Sequence, residues 1–235
     1  MSNILFLTYD IPFPTNSGGK VRAFNMMKFG GEGHNLYLFS FYRQGYDEKV
    51  ITELKKIGIK SIETFKRATS KNINSLVSIV SPRSSVFRYL YFQKKIESRL
   101  KQVIKDQKID IVHCESFYTG YYLKRSLGDR VKLIFGTENI EYKLYEEYVK
   151  KIPSIARIPF SAQVSKIKRE EKQMAAVADL TISVTADESE YFKKFGAKKT
   201  YVIPNGVDIE EFKYKRNINP RGTKILFVGN FSYFP

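Results

Sequence analysis

Short apolar segments alternate with segments of helical character along most of this chain. Residues 4–8 are an apolar run, a loop with two prolines and Gly18-Gly19 follows, and a helix over 20–29 leads to a second apolar run over 36–41. Strands that are apolar on both sides are typical of parallel sheets covered by helices on both faces. The alternation therefore predicts a parallel sheet with right-handed crossovers.

The same pattern continues to about residue 203. Further strands are predicted over 59–65, 109–113, 132–136, 180–184 and 200–203, with a helix over 49–57. A long amphipathic helix is predicted where Phe92, Ile96, Leu100, Val103 and Ile104 fall on one face. These elements predict the α/β class, with a doubly wound, Rossmann-like parallel sheet.

The last part of the chain differs in composition. Residues 205–223 are polar and rich in turn dipeptides, and an apolar run over 224–228 follows. A single strand cannot form a domain by itself. We therefore expect one domain over residues 1–215, and in residues 216–235 a linker and the first strand of a second domain.

Composition limits the environment and the partners. Cys114 is the single cysteine, so no internal disulfide can form, which fits a reducing compartment such as the cytoplasm. The first apolar run is too short for a signal peptide or a membrane span. A net charge of +16 favours anionic partners: nucleic acid, phosphate-rich small molecules or an anionic membrane.

Apolar and basic residues are mixed in the segment around residues 73–95. This mixture is typical of a protein that rests on an anionic bilayer surface, and we expect peripheral membrane contact there. A pair of helices that faces the core, with its charges in solvent, explains the same pattern about as well.

Several cofactor motifs are missing. Gly31-Glu32-Gly33 precedes a strand and lacks the third glycine of a dinucleotide fingerprint, which argues against NAD. No G-x-x-x-x-G-K-[ST] motif occurs, and two histidines with one cysteine make a poor zinc site. We expect neither a cofactor nor a metal.

A series of short motifs spans nearly the whole chain in a characteristic order. It comprises Pro12-x-Pro14 with Gly18-Gly19 and Arg22, Gly33-His34, Ile111-Val112-His113, Glu138-Asn139-Ile140-Glu141, Glu171 before Asp179, Ile203-Pro204-Asn205-Gly206-Val207-Asp208, and Phe227-Val228-Gly229-Asn230. In this order the motifs resemble glycosyltransferase family 4. Glu138 stands where many members have a histidine.

The resemblance implies a fold and an activity. It implies the two-domain GT-B architecture and a retaining, hexosyltransferase-type enzyme that moves a sugar from a nucleotide-diphosphate donor to a glycan or lipid-linked acceptor without a metal. The first domain would shape the acceptor side, and the second would hold the nucleotide. The 235-residue chain alone is therefore expected to be inactive or nearly so.

Two groups of candidate site residues follow the first and fourth strands. Gly18, Gly19, Lys20 and Arg22 would contact the donor diphosphate or the acceptor, because glycines at a helix start let backbone N–H groups approach a phosphate. A tight turn with solvated basic residues is the alternative. His113 and Glu115 lie at the carboxyl end of a strand, where such sheets bind ligands, although a histidine there often has a structural role.

Two more groups lie further along the chain. Glu138, the candidate catalytic residue, and Asn139 follow the strand over 132–136, with Thr137 as an expected helix cap. The alternative is that Glu138 and Glu141 are favoured by the dipole of a first helical turn. Asn205 and Gly206 form a turn that the resemblance places beside the interdomain cleft.

Two other classes of function remain open. A non-catalytic binding or scaffold protein could keep the same fold, since fold does not dictate activity. A basic nucleic-acid-binding module would explain the charge, but no nucleic-acid motif is present and the basic residues are spread over many helices, so we expect no nucleic-acid partner.

Overall fold

Seven parallel strands form one sheet in the computed structural model, which describes residues 1–69 and 81–210. The strands are β1 (Asn3–Thr8), β2 (Asn35–Tyr42), β3 (Ile59–Lys66), β4 (Ile111–Glu115), β5 (Lys132–Gly136), β6 (Leu180–Ser183) and β7 (Thr200–Val202). Their order across the sheet is β3-β2-β1-β4-β5-β6-β7, and every neighbouring pair is parallel. The predicted doubly wound α/β fold is confirmed.

Helices connect the strands. They are α1 (Gly18–Gly30), α2 (Lys49–Lys56), α3 (Val86–Tyr91), α4 (Lys94–Asp106), α5 (Glu141–Lys150), α6 (Arg157–Val177) and α7 (Ala186–Lys194). Short 3₁₀ helices occur at Gly120–Tyr122, Arg125–Leu127 and Ser154–Ala156. In the described ranges, no helix has the length and apolar character needed to cross a bilayer.

Two apolar clusters cover the two faces of the sheet. Leu5 of β1 belongs to the larger cluster together with Leu100 of α4, whereas its neighbour Phe6 belongs to the smaller one with Met27 of α1. Successive side chains of a strand point to opposite faces. β1 therefore needs apolar residues at both its odd-numbered and its even-numbered positions. This explains why the first strand is a continuous apolar run.

The strand order reverses between β1 and β4. From β3 at one edge the chain crosses to β4 on the far side of β1, and it continues outward to β7. In open α/β sheets ligands bind at such a switch point, beyond the carboxyl ends of the strands. The residues that follow β1, β4 and β5 are therefore candidates for a ligand-binding site.

Among the differences from the predicted element boundaries, those at the fourth strand and the long helix have clear physical reasons. The fourth strand begins at Ile111 rather than 109, because the N–H of Ile109 still bonds Ile104 O in the turn after α4. The long helix is two helices, since Phe92 has an extended backbone between α3 and α4.

The segment expected to contact a membrane, around residues 73–95, is described from residue 81 onward, and part of it faces the core. Leu90 and Tyr91 are buried, and Val86 and Phe87 pack against the larger cluster. Leu90 and Tyr91 therefore face the core, whereas Val86 and Phe87 are partly buried, and membrane contact by this segment stays a prediction. Residues 70–80, like the linker and strand expected in 216–235, lie outside the described residues.

Candidate functional site at the switch point

A buried chain of three polar side chains lies at the carboxyl end of β4. Arg22 Nε of α1 donates to Glu115 Oε1 at 2.8 Å, and His113 Nε2 lies 2.7 Å from Glu115 Oε2. The His113 ring stacks on Phe6 at 4.7 Å between centroids. Burial by itself raises the pKa of Glu115, but the hydrogen bond and charge of His113 and the charge of Arg22 outweigh it and lower that pKa.

Arg22 joins α1, β4 and the segment after β7. Its side chain is 2% exposed, and Nη1 donates to Ile203 O at 2.9 Å and to Asn205 Oδ1 at 3.1 Å. Its Nη2 is buried and has no hydrogen-bond partner within the described residues. A ligand-binding role for Arg22 stays a prediction.

The loop after β7 is fastened to α1. Besides the bond from Arg22 to Asn205, Asn25 Nδ2 donates to Gly206 O at 3.4 Å, and Lys28 Nζ lies 2.7 Å from Asp208 Oδ2. Asn205 and Gly206 therefore lie near the first helix, and a ligand-binding role for them stays a prediction.

The two glycines of the first loop lie in different surroundings. α1 begins at Gly18, two residues before the predicted start at residue 20. A Cβ at Gly19 would come within 2.3 Å of Tyr9 Oη and 2.7 Å of both carboxylate oxygens of Glu138, whereas a Cβ at Gly18 would meet nothing within 4 Å. A side chain at Gly19 would therefore displace the ends of the Tyr9 and Glu138 side chains. Lys20 turns aside to pair with Asp10 at 3.4 Å.

Glu138 is the carboxyl group best placed for chemistry. It follows β5 and is half-buried, and its Oε1 has no hydrogen-bond partner within the described residues. Burial and the negative charge of Glu115, opposed by Arg22, raise the pKa of Glu138 to about 7. A carboxyl group with this pKa both accepts and releases a proton near neutral pH. Its neighbour Asn139 is exposed.

The helix after Glu138 is capped from α6. Glu171 accepts the N–H of Glu141 at 2.8 Å and that of Tyr142 at 3.5 Å. Thr137, the expected cap, instead donates its hydroxyl to Ile182 O of β6, so that prediction is wrong. The alternative explanation of Glu138 as a first-turn residue also fails, because α5 begins at Glu141.

Glu141 carries a second perturbed carboxyl group beside Glu138. Burial and the charge of Glu138, opposed by a hydrogen bond from Tyr118, raise the pKa of Glu141 to about 7. Tyr118 Oη lies 3.3 Å from Glu141 Oε2 and 3.1 Å from Tyr145 Oη. This pair of tyrosines leads from the carboxylates into a cavity.

The cavity has a volume of about 330 Å³ and opens at the carboxyl ends of β1 to β4. Its polar lining comes from separate segments, which the sequence analysis did not bring together. The lining includes Tyr9, Arg43, Arg67, Tyr91, Tyr118 and Tyr145. Tyr9, Arg43 and Arg67 directly follow β1, β2 and β3, so they could have been found from strand ends.

A strained backbone position lies beside the same crevice. Ser116, the residue after β4, has a φ of 98°, in the region that favours glycine. Its N–H donates to Gly136 O, and its hydroxyl accepts the N–H of Tyr118. Such outliers cluster at functional sites.

Comparisons with known proteins agree with this architecture. A family model described as Glycosyltransferase Family 4 matches residues 30–211. The chain is also 25% identical over 233 residues to an uncharacterized 44.6 kDa protein in the cps region of Klebsiella pneumoniae, covering 98% of this chain and 56% of that protein.

Two solved structures share the fold. Sucrose-phosphate synthase from Thermosynechococcus elongatus aligns with a TM-score of 0.54 and 13% identity, over 89% of this chain and 49% of that one. Apo UGT2 from Phytolacca americana aligns with a TM-score of 0.51 and 7% identity, over 90% of this chain and 53% of that one.

The chain spans about half the length of the curated relative and of the solved structures it matches. The family model, in contrast, covers most of this chain, from the end of α1 to beyond β7. We conclude that the chain belongs to glycosyltransferase family 4.

Proposed function

We propose that the protein to which this chain belongs transfers a hexose from a nucleotide-diphosphate sugar to a glycan or lipid-linked acceptor, with retention at the anomeric carbon. In this proposal the described domain forms the acceptor side of the cleft, and a second domain holds the nucleotide. Family membership supports the reaction class. The observation that carries the site is Glu138, with one oxygen unpartnered in the described residues, between Gly19 and Tyr9 at the switch point.

Glu138 would accept the proton of the acceptor hydroxyl. The bond from the anomeric carbon to the diphosphate oxygen breaks, and the nucleoside diphosphate leaves with the electron pair. The acceptor oxygen forms its bond to that carbon from the same face, so the configuration is retained. A pKa of about 7 suits this transfer, because general bases work best near the operating pH.

Charge on the leaving diphosphate needs separate stabilisation. The first turn of α1, with Gly18 and Gly19, is the part of the described domain best suited to it, since a helix N-terminus offers free N–H groups and a positive dipole end. Fixed donors of this kind stabilise developing charge without reorganisation. We expect no metal or cofactor in this step.

The test uses the full-length natural protein with a panel of nucleotide-diphosphate sugars and neutral and acidic acceptors. Release of nucleoside diphosphate that depends on the acceptor supports the proposal, and NMR coupling constants of the product report its anomeric configuration. Binding of the donor without transfer to any acceptor would favour the scaffold alternative. Salt-sensitive binding to generic DNA or RNA, with no response to sugar nucleotides, would favour the nucleic-acid module.

We also propose contact with an anionic membrane surface, through a region different from the one the sequence indicated. Ile155, in the 3₁₀ helix before α6, is 93% exposed, and Ile158, at the start of α6, is 78% exposed. The exposed Lys150 and Lys151 lie shortly before them in the sequence. Apolar side chains flanked by lysines are suited to an anionic interface. Sedimentation with phosphatidylglycerol vesicles should weaken in an I155S/I158S variant and persist in V207S, whose valine is exposed elsewhere.

A further inference from the structure

The cavity at the ends of β1 to β4 combines aromatic walls with two arginines. Its charged lining residues within the described chain are Asp10, Arg43 and Arg67. Asp10 is already engaged, because it accepts the N–H of Ile11 and lies 3.4 Å from Lys20 Nζ. The two guanidinium groups therefore dominate the charge that a ligand in the cavity meets.

Arg67 is held in place by the cavity wall. Its Nη1 donates to Tyr91 Oη at 2.8 Å, and its guanidinium lies over the Tyr91 ring at 5.2 Å from the centroid. Its Nε is buried and has no hydrogen-bond partner in residues 1–69 and 81–210. A buried donor without a partner is costly, so this N–H is a ready position for a ligand oxygen.

Arg43 follows β2 and is exposed at the rim of the cavity. Within the described ranges, no carboxylate forms a salt bridge with Arg43 or Arg67, and the sequence of residues 70–80 contains no Asp or Glu. Guanidinium groups bind carboxylate and phosphate through paired N–H donors. The pair thus forms an anion-binding edge that no acidic residue of the described chain neutralises.

Most of the cavity lining is aromatic. Tyr118 lies 5.3 Å from Tyr9 and 5.1 Å from Tyr91 between ring centroids, and Phe87 lies 4.9 Å from Tyr145. Burial raises the pKa of Tyr9 and Tyr118 above its ordinary value, so the hydroxyls stay neutral. Such rings offer an apolar face with a polar edge, which matches a sugar ring with its hydroxyls.

We propose that this cavity binds a sugar that bears an anionic group, a carboxylate or a phosphate, as the acceptor of the transfer. Arg43 and Arg67 hold the anion, the tyrosines cover the ring, and Tyr9 leads towards Glu138. The volume of about 330 Å³ is near the lower end of small-molecule pockets, roughly 300–1,000 Å³, which favours a sugar residue over a lipid chain. The role as acceptor rests on the proposed function, whereas the binding of an acidic sugar does not.

Calorimetric titration of the full-length protein without donor tests the site directly. The probes are glucuronate, glucose 6-phosphate, glucose and inorganic phosphate. We expect both acidic sugars to bind about tenfold or more tightly than glucose, as expected for charge-assisted hydrogen bonds. Tighter binding of glucuronate indicates that the natural ligand carries a carboxylate, and tighter binding of glucose 6-phosphate indicates that it carries a phosphate.

Two variants and a matched control locate the binding. R43Q, at the exposed rim, should weaken acidic-sugar binding by about tenfold without affecting folding, whereas R130Q, exposed in the loop before β5, should leave it unchanged. R67K keeps the positive charge but loses the paired N–H donors. Its affinity for the acidic sugars should therefore lie between those of the wild type and R43Q. Equal affinity for glucose and the acidic sugars, tighter binding of inorganic phosphate than of glucose 6-phosphate, or an unchanged affinity in R43Q would overturn the proposal.

The titration separates this proposal from the proposed function. Binding of acidic sugars without any transfer would refute the transferase activity and support the site. Transfer to neutral acceptors, without binding of acidic sugars, would support the activity and refute the site.

Discussion

Arg22 of α1 and Glu115 of β4 form a buried ion pair, with Nε and Oε1 2.8 Å apart and both side chains at most 2% exposed. The same guanidinium donates to Ile203 O and Asn205 Oδ1, beyond β7. One side chain therefore links the first helix to two distant parts of the sheet. The geometry of the switch point depends on this link.

Removal of Arg22 should destabilise the fold. R22M leaves the Glu115 carboxylate buried without its cation, and breaking a buried pair in this way costs about 3–5 kcal/mol. K56M, which removes the exposed partner of Glu53, should cost about 0–1 kcal/mol. Urea unfolding at pH 7 measures both, and equal stabilities of the two variants would contradict the account.

The ion pair also has a pH signature. The pKa of Glu115 is lowered in the fold, so its stabilisation is complete above its unfolded value of 4.5 and is lost as the pH falls through the lower folded value. The difference between wild type and R22M should therefore shrink below pH 4.5.

Gly19 and Gly30, near the two ends of α1, provide a matched pair for testing the site. The Cβ of G19A would meet Tyr9 Oη and the Glu138 carboxylate, which must shift, whereas that of G30A meets nothing within 4 Å. We expect G19A to lower kcat/KM by about tenfold or more, since small displacements of reacting groups are costly. G30A should retain wild-type kcat/KM, and a comparable loss in both variants would argue against a site at Gly19.

Ser116 should be strained by its positive φ. S116G and S116A both remove the hydroxyl that accepts the N–H of Tyr118, but only alanine keeps the unfavourable backbone conformation. We expect S116G to be more stable than S116A by about 1 kcal/mol. Urea unfolding decides this, and an S116A variant at least as stable as S116G would refute the strain.

Glu171 should make the protein less stable at high pH. Burial raises the pKa of Glu171 to about 8, partly opposed by its hydrogen bond with the Glu141 N–H. The stabilisation from its protonated form is complete below 4.5 and is lost as the pH rises through about 8. The unfolding free energy should thus fall more steeply from pH 5 to pH 8 in wild type than in E171Q, whose amide oxygen can still cap α5.

The exposed E32Q variant serves as the control for this comparison. It should follow the wild-type pH dependence. A wild-type slope equal to that of E171Q would show that Glu171 does not titrate in this range.

Local signals in the sequence were sufficient to predict the sheet and some of the helix ends. β1 is recognisable as a continuous apolar run, because a strand covered by helices on both faces of the sheet needs apolar residues at every position. Thr185 and Glu188 have the spacing typical of a capping box and form one, with Glu188 N donating to Thr185 Oγ1 and Thr185 N to Glu188 Oε2, both at 3.2 Å. Both signals lie within a few residues of the feature that they predict.

The site was predictable only in part, because its contacts join distant segments. Gly19 and Glu138 follow predicted strands, so their approach to one crevice could be expected. The partner of Arg22 lies 93 residues away, and Tyr145 reaches the cavity from α5. Such contacts cannot be predicted from the spacing of residues in the sequence, because they depend on how the helices and strands pack in three dimensions.

The most direct test of the account is the pH dependence of kcat/KM for the full-length protein and its E138Q variant, with E32Q as control. We predict that the wild-type and E32Q rates rise through an ionisation near pH 7 as Glu138 loses its proton, and that E138Q loses at least about a hundredfold in rate together with this ionisation. An E138Q variant that keeps the wild-type rate and the same pH profile would contradict the assignment of Glu138 as the group that accepts the proton.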